Sequence, residues 1–158
     1  MKTPLICLGC LLLFFMTSCS SLKTSPETIS EITRKVEAKD FTVVVNYANP
    51  LRMQPVYLTS DYDLRIKNDS VFAYLPYFGV AHTAPFNSSE GGIKFATVMT
   101  NYKITPHKKS NGWDIKFRVK TTGSVYDIRL DVFNTGSSTI TVNSYERDAI
   151  TFNGEVKR

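Results

Sequence analysis

The segment Trp113–Lys120, which reads WDIKFRVK, decides the fold class, because apolar and charged residues alternate along its whole length. A second alternating run, Tyr126–Val132, follows after the turn signal Thr122-Gly123. Successive side chains of a strand point to opposite faces, so this period of two predicts strands with one buried apolar face and one solvent-exposed face. The connection between the runs is too short for a crossover helix, and we expect the two strands to form an antiparallel hairpin.

The same alternation recurs earlier in the chain, over Phe41–Tyr47 and Tyr62–Ile66. Turn-forming residues separate the runs: Asn68-Asp69, Gly91-Gly92, Asn111-Gly112, Asn134-Thr135-Gly136 and Asn153-Gly154. Short strands joined by tight turns indicate a mainly β domain from about Phe41 to Val156. We expect a single antiparallel meander of about 8 or 9 strands, forming a barrel or a sandwich.

One N-terminal helix, over residues 26–39, is expected before the strands. Its start has a serine cap, a proline in the first turn and an early acid: Ser25, Pro26 and Glu27. Apolar residues recur at helical spacing and form one narrow stripe: Ile29, Ile32 and Val36. The stripe favours a helix that packs on the domain behind it, and the alternative is a charged, disordered linker.

The first 18 residues have the composition of an export signal. Lys2 is followed by an apolar run of about a dozen residues, Leu5–Met16, which is shorter than the ~20 residues of a membrane-spanning helix. The sequence Met16-Thr17-Ser18-Cys19 resembles the lipobox of bacterial lipoprotein signals. That resemblance implies cleavage after Ser18 and a lipid on Cys19. The alternatives are an ordinary secretory signal and a rival acceptor at Cys10.

The predicted organisation is a signal peptide over 1–18, a lipidated tether over 19–24 and a single β-rich domain over 25–158. The mature chain would have 140 residues (158 minus 18) and a side-chain charge of +4 (+5 for the whole chain, less Lys2). This modest charge is spread along the sequence, which argues against nucleic-acid binding. The chain's 3 cysteines lie at or before Cys19, so the body offers no disulfide, thiolate metal site or cysteine nucleophile. No cofactor is expected.

Several motifs in order resemble the domain of unknown function 4251 family: LPYFG at 75–79, GGIKF at 91–95, VNSYER at 142–147 and ITFNG at 150–154. The resemblance spans roughly residues 30–158. It implies an exported, often lipid-anchored protein of Bacteroidetes with a single domain, and it implies no chemistry, because the family has no assigned activity.

Catalytic signals are weak. His82 and His107 are about 25 residues apart and have no metal-ligand spacing, so we expect loop residues and no metal site. Ser88-Ser89-Glu90 lacks the Gly-x-Ser-x-Gly turn of an activated serine. Two carboxylate pairs, Asp61 with Asp63 and Asp127 with Asp131, leave open a hydrolase of envelope glycans or polymers. The segment 146–148, Glu-Arg-Asp, is interpreted as a surface charge cluster.

An aromatic group at residues 74–78 departs from the alternation of apolar and polar residues. We take Tyr74, Tyr77 and Phe78 as a candidate binding rim, because tyrosine offers flat apolar area with a polar tip. The alternative is a strand buried on both faces, under the N-terminal helix. Asp69-Ser70-Val71 resembles the O-glycosylation sequon of exported Bacteroidetes proteins, which makes Ser70 a candidate glycan site.

Together these features favour a cell-envelope lipoprotein that acts as a noncatalytic binding or structural module. Its expected partners are the membrane, through the lipid anchor, and an envelope protein or glycan. The residues after Cys19 lack an acidic export cluster. We therefore expect a protein on the outer membrane that faces the periplasm.

Overall fold

The computed structural model describes residues 24–82 and 91–158, and the predicted signal peptide, Cys19 and Ser88-Ser89-Glu90 lie outside these ranges. One helix precedes nine strands. The elements are α1 (Pro26–Glu37), β1 (Asp40–Pro50), β2 (Val56–Lys67), β3 (Ser70–Leu75), β4 (Ile93–Val98), β5 (Thr100–Pro106), β6 (Gly112–Lys120), β7 (Val125–Phe133), β8 (Ser137–Ser144) and β9 (Ile150–Val156). The predicted mainly β class and the N-terminal helix are confirmed.

All nine strands belong to one antiparallel sheet, in the order β4-β3-β2-β1-β9-β8-β7-β6-β5. The first strand pairs with the last, so the meander curls back on itself. Only Met99 separates the two edge strands, β4 and β5, in the chain. The result is a nearly closed barrel rather than a sandwich, because one continuous ladder of strand pairs runs around the sheet.

The inside of this barrel is filled by the apolar half of each alternating strand. On β6, Ile115, Phe117 and Val119 are 0–3% exposed. Across the interior, the rings of Phe95 on β4 and Tyr126 on β7 are stacked with centroids 5.5 Å apart. Burial of apolar surface in this single core provides the main driving force for folding.

Helix α1 begins where the sequence predicts, with the Ser25 hydroxyl accepting a hydrogen bond from the Thr28 amide. It ends at Glu37, two residues earlier than expected, and Lys39 has a positive φ of 50° at the link to β1. Ile32 and Val36 are completely buried. Within residues 24–82 and 91–158, no helix is long and apolar enough to cross a bilayer.

Asn153-Gly154 was expected to form a turn, and the structure corrects this: both residues lie inside β9. The ladder between β1 and β9 is irregular between Val45 and Tyr47. A Cβ on Gly154 would overlap the Val44 carbonyl and lie 2.8 Å from the Val45 Cα. Glycine is therefore needed at this position because the backbones of β1 and β9 approach each other closely.

Candidate functional site

The three residues of the predicted rim have different environments. Tyr74 lies near the end of β3 and is 46% exposed. Its ring stacks on Tyr62 with centroids 5.3 Å apart, and Lys94 Nζ lies 5.2 Å from its centroid. Tyr77 and Phe78 follow the strand and are half-buried against the core. The segment therefore has one exposed aromatic ring followed by two that pack inward.

The N-terminal helix does not cover this segment. It packs against β1, and the Ile32 Cδ1 atom lies 3.6 Å from the Cβ position at Gly136, in the β7–β8 turn. The alternative of a strand buried under the helix therefore fails for Tyr74, whose outer face is open.

Tyr77 joins the segment after β3 to the loop before β9. Its hydroxyl lies 3.1 Å from the carbonyl oxygens of both Val80 and Asp148, and its proton is shared between them. Burial, and secondarily the Asp148 charge, raise the pKa of Tyr77, so the hydroxyl stays a donor at neutral pH. The Arg147 guanidinium lies 4.8 Å from the ring centroid, within range of a cation–π contact.

Asp148 is the centre of this junction. Its side chain is only 6% exposed, with His82 Nε2 3.0 Å from Oδ1 and Arg52 Nε 3.2 Å from Oδ2. The Arg52 contact is an ion pair and lacks hydrogen-bond geometry. Two backbone bonds join the same segments: the His82 amide donates to Glu146, and the Asp148 amide donates to Val80. We call residues 76–82 together with 145–149 the docked loops.

Gly79 leaves room for the Tyr77 hydroxyl within the segment that follows β3. A Cβ at this position would lie 2.7 Å from the Tyr77 hydroxyl oxygen, inside van der Waals contact. The docked loops therefore meet through two side-chain contacts with Asp148, from Tyr77 and His82, which lie 71 and 66 residues before it in sequence.

The charge cluster predicted at residues 146–148 is only partly on the surface. Asp148 is buried, and Arg147 has a buried Nε without a hydrogen-bond partner. Sequence reasoning missed the contact of Asp148 with His82 and Arg52. No local signal could have found it, because the partners are brought in by separate loops.

A second feature is an exposed aromatic surface on β1–β3, formed by Tyr47, Tyr57, Phe72 and Tyr74. The ring centroids of Tyr47 and Tyr57 are 5.1 Å apart in an edge-to-face arrangement, and the two residues are 46% and 63% exposed. The Arg65 guanidinium lies 5.9 Å from the Phe72 centroid. All four aromatic residues are at least 39% exposed and lie on three neighbouring strands.

The predicted carboxylate pairs are held by cations. Arg118 makes a bidentate contact with Asp127, at 2.7 and 3.0 Å, and this hydrogen bonding lowers the pKa of Asp127. Asp131 contacts both Arg129 and His107. Asp127, with its lowered pKa, stays ionised at neutral pH and is not suited to be the proton donor of a glycosidase.

The other pair lies on β2, where Asp61 is exposed and Asp63 lies 3.5 Å from Arg65. In the described parts of the chain, no group of three or more His, Cys, Asp and Glu side chains is arranged to hold a metal ion.

Ser70 is the first residue of β3, where it pairs with Lys67 and Val98 and is half-buried. Glycosylation at Ser70 stays a prediction, to be tested by the intact mass of the native protein.

Comparison with known proteins gives two similarities. A family model described as Domain of unknown function (DUF4251) matches residues 23–156. The crystal structure of a DUF4251 family protein from Bacteroides eggerthii is similar in fold, with a TM-score of 0.63 and 17% sequence identity, covering 82% of this chain and 87% of that one. The search of curated proteins gave no match.

Proposed function

This chain belongs to the domain of unknown function 4251 family, and from that starting point we propose that it is a noncatalytic binding module of the bacterial cell envelope. In this proposal Cys19 carries a lipid that anchors the protein to the outer membrane, facing the periplasm. The folded domain then binds an envelope protein or glycan. The anchor is supported by the short apolar run and the lipobox-like sequence.

The observation that carries the binding role is the exposed aromatic surface on β1–β3. Its residues lie on outward-facing strand positions, where polar residues would cost nothing in core packing. Tyrosine supplies apolar area at a small cost in conformational entropy and keeps a polar tip in water, which suits a reversible interface. The candidate rim contributes Tyr74 to this surface.

Two further features favour binding over hydrolysis. The barrel interior is occupied by packed apolar side chains, with Ile115, Leu130 and Phe152 at 0% exposure. The two acids that the sequence offered as a hydrolytic pair, Asp127 and Asp131, are ion-paired. A glycan hydrolase needs two carboxyl groups facing one substrate space, one of them protonated. No observation on the described residues favours that second function.

The anchor is tested by metabolic palmitate labelling of cells that produce the full chain. Cys19→Ala is expected to abolish labelling and to leave a larger precursor, because the acceptor sulfur is gone. Cys10→Ala is the matched control and should label like the wild type. Labelling that persists in Cys19→Ala would contradict the anchor and point to Cys10.

The binding role is tested by in-cell crosslinking, comparing the anchored wild type with the double variant Tyr47→Ser/Tyr74→Ser. We expect recovery of the crosslinked envelope component to fall about tenfold, which corresponds to the loss of one aromatic hot spot. Tyr145→Ser is the control, because Tyr145 is 84% exposed and lies outside the aromatic surface. Equal recovery from all three proteins would refute the proposal that this surface binds the partner.

A further inference from the structure

We propose that the outer face of β5–β8 holds a second site, which binds the acidic groups of a glycan. The site is a surface depression of about 390 Å³, a size in the usual range for small-ligand sites. Its polar lining consists of Asn101, Lys116, Arg118, Asp127, Arg129 and Asn143.

Three cations stand side by side at this site. Lys103 on β5 is directly opposite Lys116 on β6, and Lys116 is directly opposite Arg129 on β7. Like charges at directly opposed positions destabilise a sheet. Asp114 lies 3.0 Å from Lys116 and 3.1 Å from Arg129 and offsets part of this repulsion. Over residues 24–82 and 91–158, Lys103 has no carboxylate within ion-pair distance, so the row retains unbalanced positive charge.

The cationic groups keep donors that face water. Arg118 uses Nε and Nη2 on Asp127, and Arg129 uses Nε and Nη2 on two aspartates, which leaves further N–H groups on each guanidinium. Their side chains are 40% and 50% exposed, and that of Lys116 is 56% exposed. Guanidinium groups in this state can bind a carboxylate or a phosphate through charge-assisted hydrogen bonds.

Polar uncharged groups flank the cations. Asn101 lies at an irregularity of β5 between Thr100 and Lys103 and has a positive φ of 55°. Bulges at barrel rims commonly redirect a side chain towards a site. An asparagine amide both donates and accepts hydrogen bonds, as a sugar hydroxyl does, and exposed Asn143 supplies a second amide.

The row of paired residues continues beyond the cations as a polar track across six strands. In register order it comprises Lys103, Lys116, Arg129, Thr141, Thr151 and Asn49. Five strand spacings give it a length of about 24 Å along the curved surface. A track of this length, with cations at one end and hydroxyl and amide groups at the other, fits an extended acidic oligosaccharide better than a single phosphate. A bilayer surface would favour apolar side chains among the cations, whereas the six residues of this track are all polar or charged.

This site goes beyond the proposed function, because its cations lie on β5–β7, whereas the aromatic surface lies on β1–β3, and because it names the chemistry of a ligand. The probe is an oligogalacturonate long enough to cover the track, titrated calorimetrically into the mature lipidated protein in neutral detergent. The same oligomer with its carboxyl groups methyl-esterified is the ligand control. We expect the acid form to bind about tenfold more tightly than the ester, and to weaken as salt rises.

Lys103→Gln/Lys116→Gln is expected to weaken binding of the acid form about tenfold. The control Lys108→Gln/Lys109→Gln removes the same charge from an exposed turn outside the track and should change the affinity less than about twofold. Thermal unfolding of each variant checks its fold. If the Lys103→Gln/Lys116→Gln variant does not fold, the affinities of the wild type for the acid and for the ester still show whether the site binds carboxyl groups.

Equal affinity for acid and ester, or equal losses in the two double variants, would overturn the site. Binding to phosphatidylglycerol vesicles without binding to the oligogalacturonate would assign the cations to a membrane surface and also overturn it. The variant Tyr47→Ser/Tyr74→Ser should retain oligogalacturonate affinity, so failure of this site and failure of the aromatic surface give different results.

Discussion

Replacing Tyr77 with alanine is expected to detach the docked loops and to lower the free energy of unfolding by about 3 kcal/mol. The ring is half-buried, so its loss should cost about half of the ~3–5 kcal/mol of a fully buried aromatic, which is ~2 kcal/mol. The hydroxyl shared by the Val80 and Asp148 carbonyls adds ~1 kcal/mol. Tyr77→Phe removes only this second part.

Thermal unfolding, monitored by fluorescence of the single tryptophan, Trp113, measures the loss. At roughly 3 °C per kcal/mol for a domain of this size, the midpoint should fall by about 9 °C for Tyr77→Ala and about 3 °C for Tyr77→Phe. Tyr57→Ala is the control, because its ring is 63% exposed. Its midpoint should move by less than about 2 °C.

Hydrogen exchange tests where the loss occurs. The amides of His82 and Asp148 donate the two backbone bonds between the docked loops, so both should exchange faster in Tyr77→Ala, while core amides of β7 should stay protected. Unchanged protection of His82 and Asp148, or a Tyr77→Phe loss as large as that of Tyr77→Ala, would refute the reasoning.

Three further predictions concern the rest of the fold. Ile32→Ala should lower the free energy of unfolding by ~2–5 kcal/mol in a denaturant titration, because Ile32 is completely buried between helix and barrel; a loss under ~1 kcal/mol would mean that the helix is not docked. Gly154→Ala should destabilise by ~1–3 kcal/mol through overlap with β1, and an unchanged denaturation midpoint would contradict that close approach. Arg118→Gln should raise the pKa of Asp127 towards its ordinary value, as read by carboxyl NMR. Ionised Asp127 stabilises the fold above its unfolded pKa, and this stabilisation is lost as pH falls through its lowered folded pKa. The Arg118→Gln variant should therefore lose this contribution to stability in the acid range. An unchanged pKa of Asp127 in the variant would show that Arg118 does not cause the lowered pKa.

The sequence was sufficient to predict the class of the fold and its strand pattern. The alternation in Trp113–Lys120 and Tyr126–Val132 reappears as buried and exposed positions on β6 and β7, because side-chain direction along a strand is a local property. The serine cap and apolar stripe of α1 are equally local, and its beginning was predicted correctly. The turn predicted at Asn153-Gly154 was wrong, because glycine is favoured both in turns and where two strands approach closely.

Barrel closure and both proposed surfaces depended on contacts between residues far apart in sequence. Pairing of β1 with β9 made the sheet a barrel, and no local pattern states which strand is the neighbour of the first. Asp148 looked like a surface acid until separate loops supplied His82 and Arg52 around it. The alternation predicted that Lys116 and Arg129 face outward on their strands, but only the register aligned them with Lys103 into one row. A strand can be predicted from its own residues, because backbone sterics and the alternation of apolar side chains are local properties. The register between strands and the docking of loops depend on how the whole chain packs.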